Sequence, residues 1–103
     1  MRSHMDIQVT KDKIVIQMLS DLTANVVKDN IKRAEDYIDK DNSGAVILDL
    51  SNVENIDSIG ITFIVGLYKT SSGQERDFKV IGANDHITNL FHLMSLDEVF
   101  PIE

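Results

Sequence analysis

Ala45-Val46-Ile47-Leu48-Asp49-Leu50 leads, through Ser51-Asn52-Val53-Glu54, into Asn55-Ile56-Asp57-Ser58-Ile59-Gly60-Ile61-Thr62. The first stretch is short, β-branched and apolar at successive positions, which predicts a central strand covered on both faces. The second places Asp, Ser and Gly between that strand and the apolar run Phe63-Ile64-Val65-Gly66-Leu67. Asp followed by an apolar-periodic run is the chemistry of a helix start. A strand that passes through such a turn into a helix is half of a βαβ unit, so the expected sheet is largely parallel.

The flanks extend this pattern. Ile59 to Ser72 puts Ile61, Ile64, Val65 and Tyr68 on one helical face. Phe78 to Ala83 reads as the next strand, and Asn84 to Met94 as a third helix with Ile87, Leu90, Phe91 and Met94 at helical spacing. Glu98 to Ile102 could add a short edge strand, a place where Pro101 is tolerated. Toward the N-terminus, residues 24–39 read as an amphipathic helix. Ala24, Val27, Ile31, Ala34 and Ile38 share one face, and Lys28, Lys32, Glu35 and Asp39 take the other. Thr23 is its expected N-cap, and Asp41-Asn42-Ser43-Gly44 supplies stop and turn chemistry. Residues 6–10 and 13–18 suggest a hairpin around Lys11-Asp12. The expected architecture is α/β: a mixed sheet of four to five strands, amphipathic helices packed on it, and right-handed crossovers.

A chain of 103 residues fits one domain, expected over residues 5–103. Met1 to His4 reads as an expression-tag remnant ahead of Met5. The net charge of −7 argues against nucleic acid, which needs clustered Lys and Arg. The ten basic residues are scattered, with none from Gly82 onward. No apolar run approaches the roughly 18 to 20 residues needed to span a bilayer, so no membrane insertion is expected. The lack of cysteine excludes disulfides and thiolate chemistry. Together with the absence of a signal-peptide pattern, it suits a cytoplasmic protein.

The residues around Ser58 offer two readings. In the simpler one, Asp57 caps a helix by accepting from the Ser58–Gly60 backbone N–H groups. In the other, the Ser58 hydroxyl in the first helical turn is a modification site. Helix N-termini favour anions, and a phosphate would add about −1.5 to −2 charges beside Asp57. Gly60 is expected to leave room beside the hydroxyl for another molecule. Ser71 and Ser72 are weaker candidates in a polar connection. His86 and His92 lack a third ligand at a recognised spacing, so no metal or cofactor is expected. Ser58 has no glycine two residues before it, which argues against a hydrolase nucleophile elbow and against an enzyme.

"VILDLSNVENIDSIGITFIVGLYK" resembles the signature of STAS domains, in particular the bacterial anti-sigma factor antagonists. The resemblance rests on the strand, the loop, the Asp-Ser-x-Gly turn and the helix ending in Tyr-Lys. It extends more loosely over residues 6–103, including "LFHLMSLDEVF". It implies partner switching: the unphosphorylated form binds an anti-sigma factor that is also a serine kinase, and phosphorylation of the serine matching Ser58 ends binding. A PP2C-type phosphatase restores the active form. In the family the loop matching Ser20, Asp21, Leu22 and Thr23 flanks the serine and touches the kinase; the contact surface expected here joins that loop to Asp57, Ser58, Ile59, Gly60 and Ile61, with Ile59 and Ile61 supplying apolar contact. A STAS scaffold or regulatory subunit without a phospho-switch, in a stressosome-like or transporter-associated assembly, is the alternative. The chain departs from the family pattern at Ile59, often a small residue, and at Thr62, often Gly. Ser20 and Thr23 stand where Gly and Asp are usual, and Ser95 stands where Gly is.

Overall fold

The computed structural model describes residues 4–40 and 44–103. Most of the suggested tag and the turn residues Asp41, Asn42 and Ser43 lie outside the described residues. Strands β1 (Met5–Val9) and β2 (Lys13–Met18) form the hairpin, closed by the Thr10 N–H donating to the Lys13 carbonyl at 2.9 Å. Helix α1 (Ala24–Lys40) precedes β3 (Ala45–Asp49), and α2 (Ser58–Gly73) precedes β4 (Phe78–Ile81). Helix α3 (Asp85–Leu93) and a 3₁₀ turn at Leu96–Glu98 follow.

The sheet order is β1-β2-β3-β4, antiparallel in the first pair and parallel in the other two. Register aligns Ile16 with Leu48 and Leu48 with Val80, so one apolar row crosses the sheet. Ile14, Ile16, Met18, Val46, Leu48 and Val80 on that face join Val27, Ala34, Ile38, Phe63, Ile64, Leu67, Ile87 and Phe91 from the helices in a single core. The helices therefore cover one face, giving two layers.

This corrects the expectation that β3 is covered on both faces. Ile47 points to the open side and lies outside the core cluster. It keeps only 7% exposure between Val15 and Lys79, its neighbours in register.

The buried stripe of α1 also differs from the expected one. Val26 and Asn30 are buried in addition to Val27, Ala34 and Ile38, while Ala24 is exposed. Asn30 is tolerated because its amide donates to the Val26 carbonyl at 2.7 Å. The expected fifth strand shrinks to a bridge between Val80 and Ile102, because residues 96–98 coil into the 3₁₀ turn. The Val80 N–H donates to Pro101 and the Glu103 N–H to Val80, at 3.0 and 2.8 Å. Phe100 anchors this segment, edge-on to Phe78 with ring centroids 5.2 Å apart.

Candidate functional site

Two loops meet at the carboxyl ends of the central strands: residues 19–23 after β2 and residues 50–57 after β3. They join as a short parallel bridge between Leu22 and Ile56. The Leu22 N–H donates to the Asn55 carbonyl at 3.1 Å, and the Asp57 N–H to the Leu22 carbonyl at 3.2 Å. Two carboxylates then lock the loops from opposite sides. Asp21 Oδ1 accepts from the backbone N–H groups of Glu54 and Asn55, at 2.8 and 3.1 Å. Its Oδ2 accepts from the Asn55 side-chain amide at 3.3 Å.

Asp57 works in the reverse direction. Its Oδ1 accepts from the Gly60 N–H at 2.8 Å, the N-cap bond read from the sequence. Its Oδ2 accepts from the Ala24 N–H at 2.9 Å, across the loop junction. One carboxylate therefore serves the first turns of both α1 and α2. The side chain meeting the first amide of α1 is thus that of Asp57 and not the expected Thr23, which gives its backbone carbonyl to the Val27 N–H. The Gly60 N–H holds the Asp57 carboxyl below its ordinary range, with Ala24 acting in the same sense. The Glu54 and then Asn55 N–H groups do the same for Asp21. Both groups are anionic near neutral pH.

Ser58 opens α2 and is exposed, as are Asp57 and Ile59, the last at 46%. Ser20, Asp21 and Thr23 are half-buried beside them. The site thus brings both predicted segments together. Three of the residues named from sequence do not present side chains to a partner: Leu22, Gly60 and Ile61 are buried. Ile61 turns into the core, so the apolar contact area rests on Ile59 alone of that pair.

The expected role of Gly60 changes as well. A Cβ there would lie 2.3 Å from the Leu22 carbonyl oxygen and 2.9 Å from Ile56 Cγ2. The glycine allows α2 to start against the neighbouring loop; it does not clear space beside the hydroxyl.

Sequence reasoning missed Asn55 and Ala24, whose roles are non-local, and Asn84, which joins a local cap to long-range bonds. Asn84 caps α3, its Oδ1 accepting from the Ile87 N–H at 2.8 Å. Its Nδ2 donates to the Val53 and Glu54 carbonyls at 3.4 and 3.3 Å, tying α3 to the same loop. Thr62 donates to the Ser58 carbonyl at 3.0 Å. The Ser20 hydroxyl meets His4 Nδ1 at 2.9 Å, and the His4 carbonyl accepts from the Leu19 N–H, so His4 is part of the folded surface. Among the described residues no group of three His, Asp or Glu side chains could hold a metal ion, and no helix is long and apolar enough to cross a membrane.

Residues 4–103 match the model of the STAS domain family. The fold is similar to an anti-sigma-factor antagonist (STAS) domain protein from Planctomyces limnophilus, with a TM-score of 0.85 at 18% identity over 95% of this chain and 87% of that one. It is also similar to the Bacillus cell fate determinant SpoIIAA in its phosphorylated form, with a TM-score of 0.76 at 14% identity over 96% and 90% of the two chains. A third likeness is to the murine anion transporter Slc26a9, with a TM-score of 0.73 at 18% identity. It covers 88% of this chain but only 15% of the transporter.

Proposed function

This chain belongs to the STAS domain family, and from that membership we propose that it is an anti-sigma factor antagonist switched by phosphorylation at Ser58. The observation that carries the reading is the position of Ser58. It is exposed on the first turn of α2, directly after an anionic carboxylate that already holds both helix starts.

Unmodified, the site offers a partner the Ser58 hydroxyl, the exposed face of Ile59 and the half-buried rim of Ser20, Asp21 and Thr23. The partner is an anti-sigma factor with serine kinase activity. It transfers the terminal phosphoryl group of ATP to the Ser58 oxygen, breaking the bond between the β- and γ-phosphates and releasing ADP, and the hydroxyl proton passes to a base on the kinase. The product carries a bulky dianion beside Asp57, at a spot where the partner had packed against a neutral hydroxyl. Like-charge contact and lost packing then release the partner while the fold stays as it was. A PP2C-type phosphatase reverses the change. The protein acts by binding, in the cytoplasm, without turnover of its own.

Intact-mass spectrometry tests this after incubation with ATP and the kinase-type anti-sigma factors of the same organism. One added phosphate on the wild type and none on Ser58→Ala is the expected result. No phosphate from any of these kinases, with each shown active on a control substrate, would discard the switch. It would favour a constitutive STAS scaffold, a reading motivated by the same fold within an anion transporter.

A further inference from the structure

We propose that the outer border of β1 pairs with the same strand of a second copy, antiparallel and about a two-fold axis through Gln8. The Leu19 N–H donates to the His4 carbonyl and the Thr10 N–H to the Lys13 carbonyl. Bonded pairs in an antiparallel ladder recur at every second residue, so His4, Asp6, Gln8 and Thr10 turn their backbone groups toward β2. Met5, Ile7 and Val9 turn theirs outward. The Met5 carbonyl accepts from the Arg33 guanidinium at 2.9 Å. Among the described residues nothing meets the outward N–H and carbonyl groups of Ile7 and Val9.

The strand lacks the devices that commonly close a sheet border. Met5–Val9 holds no Pro and no Lys, its register against β2 is unbroken, and Asp6 is its one charge. Val9 is 46% exposed at this border, and Ile7, on the same face, is half-buried. The opposite border, by contrast, is paired with residues 101–103. Free outward backbone groups on a regular strand select an extended segment as the occupant.

The side chains select a second copy. An axis through Gln8 sets Ile7 against Val9 of the other copy, so each free N–H meets a free carbonyl and the two apolar side chains share the helix side of the sheet. Gln8 faces its own equivalent, so no charge opposes a like charge at the axis. Asp6 faces the second copy's Thr10, and the exposed Lys13 bonded to that Thr10 follows in the same row. This row lies on the open side, because Ile14 and Ile16 fill the core side. Each Asp6 thus gains a lysine of the other copy, reciprocally, as a two-fold interface requires. The two four-stranded sheets join as one. The Ser58 site stays open, since it is the His4 end of β1, away from the axis, that meets the Ser20 loop.

Sedimentation equilibrium of the whole chain from about 10 µM to 1 mM tests this, the range in which a small interface shows itself. The wild type should show a monomer–dimer equilibrium. Val9→Pro removes an outward N–H, a change that an edge strand tolerates, and should abolish the dimer while the NMR amide spectrum of the rest of the fold is retained. Gln8→Lys and Gln8→Glu each set like charges against one another across the axis, at an exposed position, and should weaken self-association several-fold. Mixed in equal amounts, these two variants should pair with each other more tightly than either does with itself. A wild type that stays monomeric at every concentration overturns the proposal and leaves the border to an extended segment of another protein. A dimer indifferent to Val9→Pro overturns it too, as do charge variants that pair with each other no better than with themselves. Phosphorylation at Ser58 enters none of these outcomes.

Discussion

Asp57 reaches over 33 positions of sequence to the backbone N–H of Ala24, 2.9 Å from its Oδ2, while its Oδ1 caps its own helix. The residue beside the candidate switch is therefore the joint between two helices.

Asp57→Ala removes both bonds, whereas Asp57→Asn keeps one acceptor oxygen. Thermal melts near neutral pH should show a clear fall in Tm for Ala and a smaller one for Asn. The carboxyl is held below its ordinary value of 3.8 by the Gly60 N–H. Its contribution is thus fully present above that value and is lost as pH falls through the depressed one. The Tm gap between wild type and Asp57→Ala should shrink in acid. A constant gap would mean that the charged form is not what matters.

Gly60→Ala tests the close approach of the two loops. Its Cβ would stand 2.3 Å from the Leu22 oxygen, a backbone atom held by the Asp57 N–H. We expect a loss of about 1–3 kcal/mol or more in urea unfolding. An unchanged midpoint would mean that the loops are farther apart than described.

Ser95 adopts φ 58°, in the left-handed region that favours glycine. Ser95→Gly relieves roughly 1–2 kcal/mol of left-handed backbone cost and gives back about 0.5–1 kcal/mol through glycine's greater freedom when unfolded, so a small net stabilisation is expected. Destabilisation instead would show that the serine side chain contributes a contact of its own.

His92 Nδ1 lies 2.8 Å from Asp97 Oδ2, and that hydrogen bond, then the charge of Asp97, raises the imidazole above its usual 6.5. The charge of Glu98 acts in the same direction. A raised value means stability that is fully present below the unfolded value and lost as pH rises through the folded one. Asp97→Asn should therefore lower Tm more at about pH 5.5 than at about pH 9. Equal effects at both values would rule out the ion pair.

If Ser58 is the proposed switch, Ser58→Ala should bind the proposed anti-sigma partner whether or not ATP is present, and Ser58→Asp should bind it weakly. Pull-downs or calorimetry with the purified partner would report this. Wild-type affinity in both variants would remove Ser58 from the mechanism.

Periodic and local features were readable in the sequence. The β3–α2 junction, the Asp57 cap and most of the α1 stripe follow from spacing and capping chemistry. What escaped was set by partners far along the chain. Nothing near Ala24 shows that its amide will be met by Asp57, nor does Asp21 advertise the Glu54 and Asn55 amides. Ile47 is apolar yet faces the open side, since flanking strands alone can screen it. Gly60 reads from the sequence as leaving room beside the Ser58 hydroxyl, because the Leu22 carbonyl it packs against is remote in sequence. The meeting of residues 20–23 with Ser58 was expected from family resemblance and not from any local pattern.

The last residues of the chain give the sheet a property of another kind. Pro101 and Glu103 accept from the Val80 and Gly82 N–H groups along the outer border of β4, at 3.0 and 3.1 Å. Donors that could template a foreign strand are thereby consumed within the molecule. Residues 101–103 thus screen part of one border of the sheet in the way a short edge strand would, while β1 forms the other border.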